Sequence, residues 1–375
     1  MKIGYDAKRA FLNNTGLGNF SRWLIKTTAK HYPDNTYLLY TPKLKPNKWR
    51  NFFDSFSNIQ IITPAGKYLT ALWRSKGVVS DVQKDGVEIY HGLSYELPMG
   101  IRNTGIKTVV TIHDLIFLRF PQYYGWIDRF IYTAKTKHAC KTADRVIAIS
   151  ERTKQDLVEL LHIDSKKIEV IYQGCAPEFS IKQSEAQMNL VKQKYNLPDE
   201  FILNVGTIEE RKNLMLLAKS LCHVKTHIPV VVVGKATPYL DEVKAFLSTN
   251  NLNDSLLFKH DVSFDDLPAV YQSASLFVYP SRYEGFGIPV LEALVSGTPV
   301  IAATGSCLEE AGGEHSRYIS PDDERGLAKQ IDEILLHEEL RRLMISEGLH
   351  YAQRFQDRTL AAQMMNIYQT LQADA

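Results

Sequence analysis

A chain of 375 residues is long for one hydrophobic core and suits two domains of ordinary size. With 45% hydrophobic and 23% charged residues it is neither disordered nor fibrous, and 44 basic against 42 acidic residues argue against bulk nucleic-acid binding. The four cysteines (Cys140, Cys175, Cys222, Cys307) lie far apart without a C-x2-C pair, so no structural metal or disulfide framework is expected and a reducing compartment fits.

The chain enters a strand at residues 2–6 without a long apolar leader. No run of about eighteen apolar residues follows anywhere, so no membrane span is expected. Asn13-Asn-Thr-Gly-Leu-Gly-Asn19 comes next, then a helix over 20–30. A strand, a glycine-rich turn and a helix start can together present backbone N–H groups to phosphate, although Gly and Asn are equally the residues of a plain tight turn. A second strand is expected at 36–40. Residues 42–80 mix basic and aromatic side chains (Lys43, Lys45, Lys48, Trp49, Arg50, Phe52, Phe53), with a helix around 68–76. Such a stretch either meets a membrane interface or lipid-linked phosphate, or is solvated charge around a buried aromatic anchor.

Strands at 87–90 and 107–112 end in His91-Gly92 and His113-Asp114. Ligands of open α/β sheets bind at carboxyl strand ends, but Asp114 equally suits a turn cap. A helix over 124–141 carries Arg129, Lys135 and Lys137 as its wet side. The strand at 144–150 ends in Ser150, an N-cap for a helix over 151–161. A strand at 168–172 closes the series near Pro177 and Phe179. Strands alternating with helices of this length mean a mostly parallel, doubly wound sheet.

Residues 180–193 are polar and read as a linker with a lead-in helix. The alternation then restarts, with strands at 201–205, 230–233, 256–258, 276–279, 299–302 and 316–319. Arg211 and Lys212 precede the first helix of this series, at 214–224. Cations and free backbone N–H groups there suit a diphosphate leaving group, and a solvated basic pair is the plainer account. After the strand at 276–279 come a glycine-rich loop with Glu284, then a helix with Pro289 in its first turn and Glu292 beyond it. Two carboxylates presented over glycines suit a ligand rich in hydroxyls, such as a sugar and a ribose; a loop acid and a helix-start acid explain them equally. Leu360, Met364 and Tyr368 give the last helix, 358–369, an apolar face that must bury, against the first domain or in a dimer.

Glu284-Gly-Phe-Gly-Ile-Pro-Val-Leu-Glu292 resembles the E-x7-E signature of retaining glycosyltransferases of the GT-B type, in the family 4 group. The likeness extends to Ser296-Gly-Thr-Pro-Val-Ile-Ala302; it is densest over 200–305 and thinner over 105–175 and 40–90. It implies an α/β fold of two Rossmann-like domains with an interdomain cleft. Residues 1–178 would be the acceptor-binding domain, 179–356 the nucleotide-sugar-binding domain, and 357–375 a C-terminal helix crossing back to the first domain. The resemblance places His113 against the donor sugar, Gly16 and Gly18 beside the diphosphate, and Arg211 and Lys212 on phosphate. It has Glu284 accept hydrogen bonds from sugar hydroxyls and Glu292 hold the ribose diol. The backbone of Gly285, Phe286, Gly287 and Ile288 would meet phosphate or sugar, and Gly206, Lys235 and Val262 would surround the nucleotide. The family pattern has an arginine where this chain has Thr207; Arg211 is its natural substitute.

Thr111-Ile-His-Asp-Leu115, the run from Val205 to Asn213 and the run from Pro280 to Ala293 are most similar to bacterial mannosyl- and rhamnosyltransferases of O-antigen and capsule synthesis. The resemblance implies transfer of a hexose, with mannose from GDP-mannose the favoured donor, to a hydroxyl of a lipid-linked or polysaccharide acceptor. It implies no metal and no cofactor besides the nucleotide-sugar co-substrate. The cysteine usage and the lack of an apolar run lead to the expectation of a cytoplasmic protein, the last helix leaves a homodimer as an option, and the resemblance leans toward peripheral membrane contact through the first domain. Rhamnosyl or glucosyl transfer and a nucleotide-sugar epimerase of the same fold stay open. A glycoside hydrolase would need Glu284 and Glu292 roughly 5–9 Å apart, and would leave the Arg-Lys and glycine elements without a purpose.

Overall fold

Short runs of β-branched and aromatic residues set the strands. Val230–Val233 is four valines, none more than 5% exposed, a run that suits a strand covered on both faces. The computed structural model describes residues 1–44, 48–64 and 70–373. Lys45 and the start of the helix expected at 68–76 fall outside them. The chain divides into two units, Met1–Gly174 with Gln356–Ala375, and Cys175–Phe355, where the sequence placed the boundaries at 178 and 356.

The first unit holds seven strands: β1 (Lys2–Asp6), β2 (Thr36–Tyr40), β3 (Ile59–Ile62), β4 (Ile89–Gly92), β5 (Lys107–Ile112), β6 (Arg145–Ala148) and β7 (Ile168–Val170). They form one parallel sheet in the order β3-β2-β1-β4-β5-β6-β7. Chain order reverses between β1 and β4, so the binding position of such a sheet lies past Asp6 and Gly92. The sequence reading had no strand at 59–62. β3 is a short, half-exposed sheet edge, whereas β1 and β2 are buried beyond their first residue.

Several differences have local causes. The helix expected at 20–30 starts earlier, at Gly16, because Asn13 Oδ1 accepts from the N–H groups of Thr15 and Gly18 at 2.8 and 3.2 Å and caps the turn. The described part of the 68–76 helix is short, Thr70–Leu72, then widens over Trp73–Gly77 before Val78–Lys84. The basic-aromatic stretch is largely pinned to its own domain. Phe53 is buried against Phe11, the Arg22 guanidinium lies 3.7 Å over Trp49, and Trp73 Nε1 donates to Asp81. For these side chains the buried-anchor reading holds.

The second unit has β8 (Ile202–Val205), β9 (Val230–Val233), β10 (Leu256–Lys259), β11 (Leu276–Tyr279), β12 (Val300–Ala303) and β13 (Arg317–Ile319), all parallel in the order β10-β9-β8-β11-β12-β13. Its reversal falls between β8 and β11, which sets the loops after Val205 and Tyr279 side by side. The helix expected at 214–224 ends sooner, spanning Leu214–Ser220.

The last helix, Asp357–Ala373, packs on Gly16–His31 of the first unit and buries Leu360, Met364 and Tyr368. Tyr368 OH meets His91 Nδ1 at 2.6 Å, and Trp23 Nε1 donates to Asp357 at 2.6 Å. The apolar face is therefore spent inside the unit, which corrects the dimer-helix alternative for this element.

Candidate active site

The second unit builds its site where β8 and β11 end. Gly206 leaves β8 at φ +152°, and its carbonyl comes so close to Gly234 that a Cβ there would lie 1.8 Å from it. Glycine is thus required at 234 by close backbone approach. Asn213, at φ +58°, donates from Nδ2 to the carbonyls of Pro280 and Pro321 at 3.1 and 2.8 Å, and Arg282 N donates to Arg211 O at 2.9 Å. These bonds fasten the loop carrying Arg211 and Lys212 to the loop carrying Glu284.

The fastening brings cations and carboxylate together. Glu284 Oε1 accepts from Lys212 Nζ at 2.5 Å, Ser281 Oγ at 2.6 Å and Tyr279 OH at 3.1 Å, and Arg211 Nη1 lies 3.0 Å away. All four contacts use one oxygen, leaving Oε2 to accept from something else. Lys212 spends two of its three N–H donors on Glu284 and Tyr279 OH (2.6 Å), so a third remains. Burial opposes ionisation of Glu284, but the Lys212 and Arg211 cations outweigh it and hold the carboxyl down to about 2. Burial, seconded by Arg211, draws Lys212 below an ordinary lysine while Glu284 pulls the other way. Arg211 also reaches Tyr283 O at 2.5 Å and Glu209 Oε1 at 2.6 Å. It therefore works as a brace for the loop and a counter-charge for Glu284, more than as a free substitute for the arginine missing at Thr207.

In sequence, Ser281 and Arg282 can be read as mere surface residues of the polar loop. For Ser281 that is corrected: it is fully buried and donates to Glu284. Arg282 does keep a surface partner, Asp322 at 2.7 Å. Phe286 is buried and stacks edge-on to Phe355 at 5.4 Å, so its backbone alone can serve a ligand. Gly287 takes φ +123° and opens the helix Ile288–Val295, with Pro289 in the first turn as expected. Cys307 supports this loop from behind, its thiol 2.8 Å from Phe286 O and 3.1 Å from Glu284 O. Glu292 has a different environment. Tyr271 OH donates to its Oε2 at 2.9 Å, and burial pushes the carboxyl up to about 7. Lys235 is exposed beside Gly234, whose carbonyl accepts from His260 Nδ1 at 2.6 Å, and Val262 is half-buried.

In the first unit His113 is 5% exposed at the end of β5. Its Nε2 faces Leu93 O at 2.9 Å, so that nitrogen carries the proton and Nδ1 keeps a lone pair. Burial lowers its pKa to about 4, and the ring is neutral near pH 7. Asp114 Oδ1 accepts from Ile116 N at 3.1 Å, the turn-cap role, and Ser150 Oγ accepts from Thr153 N at 3.0 Å as the expected N-cap. Gly18 N–H is already shared by Thr15 O and Asn13 Oδ1, and a Cβ at 18 would lie 1.9 Å from Asn13 O. Glycine at 18 therefore has a structural reason, while Gly16 opens the helix with free space around it.

Tyr279, Ser281 and Cys307 support the Glu284 loop and Tyr271 supports Glu292 on the helix that follows, and the sequence reading missed all four. Only Tyr279 and Ser281, two residues apart in the motif, gave a signal that alternation across the strand end could have exposed.

Two family models identify the chain as a glycosyltransferase. The family described as "Glycosyl transferases group 1" matches residues 187–350 and "Glycosyltransferase Family 4" matches residues 43–179. The chain belongs to the family 4 glycosyltransferases, enzymes that move a hexose from a nucleotide sugar, on a GT-B fold. It is 29% identical over 289 residues to the O-antigen chain mannosyltransferase B of Escherichia coli, covering 76% of this chain and 74% of that one. It is 32% identical over 273 residues to the serotype-specific mannosyltransferase WbdA of the same species, covering 71% of this chain but only 34% of the relative. The chain thus spans about a third of WbdA. Among solved structures, sucrose-phosphate synthase from Thermosynechococcus elongatus superposes over 100% of both chains with a TM-score of 0.78 at 21% identity.

Proposed function

We propose that the protein transfers mannose from GDP-mannose to a hydroxyl of a lipid-linked or polysaccharide acceptor, with retention at the anomeric carbon. The observation that carries the reading is the Lys212–Glu284 pair at the β8/β11 reversal, with one carboxylate oxygen and one ammonium N–H left over. The spare N–H suits a phosphate oxygen that gains charge as the sugar departs, and the spare oxygen suits a sugar hydroxyl. Glu292, held by Tyr271, is the carboxylate for the ribose diol, and His113 Nδ1 is the acceptor for a hydroxyl of the donor sugar. Mannose rests on the two mannosyltransferase relatives. A hydrolase is disfavoured because Glu284 Oε1, ringed by Lys212, Arg211, Ser281 and Tyr279, is a poor nucleophile.

A different segment from the one read in the sequence supports membrane contact. The helix Trp126–Thr142 exposes Trp126, Ile127, Phe130, Ile131 and Tyr132, and its later turns carry the exposed Lys137 and Lys141. Large apolar side chains beside cations fit an anionic lipid surface, and no described helix is long and apolar enough to cross a membrane. The test of the donor is a panel of GDP-mannose, UDP-glucose, UDP-GlcNAc and dTDP-rhamnose, scored by protection from thermal unfolding. GDP-mannose is expected to protect most, and the product anomer, read by NMR, to match the donor. Protection by another sugar alone would replace mannose; an inverted product would remove retention.

A further inference from the structure

His91 is a titratable side chain that the site described above does not use. It is fully buried, and both ring nitrogens are engaged, Nδ1 with Tyr368 OH at 2.6 Å and Nε2 with Thr111 Oγ1 at 2.8 Å. Tyr368 belongs to the last helix and Thr111 to β5, so one ring links the terminal segment to the strand that ends at His113. The chain of bonds continues behind Tyr368. Its hydroxyl lies 3.3 Å from Tyr5 OH, Tyr5 OH meets Thr28 Oγ1 at 3.1 Å, and Thr28 Oγ1 donates to Leu24 O at 2.8 Å. Tyr5, Thr28, Thr111 and Tyr368 are all fully buried. Burial, seconded by the nearby His113, lowers His91 to about 3, so its ring is neutral near pH 7. One of its nitrogens then donates and the other accepts.

This chain of bonds lies where His113 needs support. His113 Nε2 is held by Leu93 O at 2.9 Å, and Leu93 follows His91 by two residues just as His113 follows Thr111. Two ties therefore join the ends of β4 and β5, first His91 to Thr111 and then Leu93 to His113. The first sets the strand separation at which the second forms. The terminal helix reaches His113 by another route as well. Asp357, at its start, accepts from Trp23 Nε1 at 2.6 Å, and Trp23 sits one turn along its helix from Phe20, whose ring meets that of His113 edge-on at 4.6 Å. Leu360, Met364 and Leu371 already give this helix an apolar face to bury. Adding a hydroxyl and an imidazole to the core costs desolvation, and a network paired at every member fixes one geometry.

We propose that Tyr368 is a positioning residue for His113, acting through His91 and the joined ends of β4 and β5. The effect on turnover rests on the reading of His113 as a contact of the donor sugar; the positioning itself stands on the geometry of the first unit. The test uses the full chain and compares imidazole 15N spectra and kcat/KM for the donor in the parent, Tyr368→Phe and Thr111→Val. Each substitution leaves one His91 nitrogen without its partner. Thr111→Val keeps the side-chain shape and suits a strand, so the test stays open should Tyr368→Phe not fold. Tyr40→Phe is the control, since Tyr40 is equally buried but its hydroxyl donates to Asp85 at 2.8 Å, off the path to His113. Tyr368→Phe and Thr111→Val are each expected to move the His113 ring signals and to lower kcat/KM for the donor about tenfold, the scale of one buried hydrogen bond, with KM for the acceptor unchanged. Tyr40→Phe is expected to move neither. His113 signals that stay in place in both variants overturn the proposal, as does an equal shift in Tyr40→Phe. Shifted signals beside a His113→Ala variant that turns over like the parent would keep the positioning and remove His113 from the donor contacts.

Discussion

Lys212 Nζ lies 2.5 Å from Glu284 Oε1, and the loops that carry them are cross-linked by backbone bonds from Arg282 to Arg211 and side-chain bonds from Asn213 to Pro280. The cation and the carboxylate are therefore held in place before a donor arrives. Preorganised charge of this kind needs no rearrangement when charge develops on a leaving group.

Lys212→Ala should lower turnover by about 10²–10³, the cost of removing one preorganised donor to developing negative charge. The measurement is kcat with donor and acceptor saturating. A variant that keeps near-normal turnover would take Lys212 out of the chemistry.

Glu292 predicts how donor affinity depends on pH. A ribose diol donates two hydrogen bonds and needs a carboxylate, but burial keeps Glu292 protonated below about 7. Donor affinity should rise as pH increases through that value and lose this dependence in Glu292→Gln. Calorimetric titration with GDP between pH 5.5 and about pH 8.5 reads it, the range spanning the charge change of a group titrating near 7.

The same group predicts a stability slope of opposite sign to Glu284. Glu292 is raised from 4.5 to about 7, so its contribution is full below 4.5 and is lost as pH rises toward 7. Glu284 is depressed from 4.5 to about 2, so its contribution is present above 4.5 and is lost as pH falls toward 2. Denaturant titrations of Glu292→Gln and Glu284→Gln against the parent should diverge in opposite directions on those two limbs.

Gly234→Ala should be poorly tolerated, because its Cβ would lie 1.8 Å from Gly206 O, a backbone atom that cannot swing away. A loss of several kcal/mol, ~3 or more, is expected where strain of this kind is imposed on a strand end. Gly16→Ala meets nothing within 4 Å and begins a helix, so it should be neutral or stabilising by up to ~1 kcal/mol. Thermal unfolding of both variants decides the pair.

Trp126→Ser with Phe130→Ser should reduce sedimentation with vesicles of one-third phosphatidylglycerol, because two large apolar side chains leave the exposed helix. Unchanged sedimentation would put the membrane face elsewhere.

Most of the fold was legible because its strands are short and apolar on both faces. Val230–Val233 and Leu276–Tyr279 have no solvent face, so alternation was not needed to find them. β3 was missed because a half-exposed edge strand looks like a loop. In the site, Lys212, Glu284 and Glu292 were named from their motif, and the structure joins the first two directly. Ser281 was discounted since a serine in a polar loop is usually solvated; its burial depends on β11 ending where it does. The opposite environments of Glu284 and Glu292 were not readable at all. They arise from which residues the fold brings near each carboxylate, Lys212 and Arg211 for one and Tyr271 for the other, far apart in the chain.

Equilibrium binding of GDP and GDP-mannose to the parent, Lys212→Ala and Glu284→Gln tests the central claim most directly. The parent should bind GDP-mannose more tightly than GDP, Glu284→Gln should erase that difference, and Lys212→Ala should weaken both ligands. Parent protein that binds neither ligand, or variants that bind both as the parent does, would contradict it.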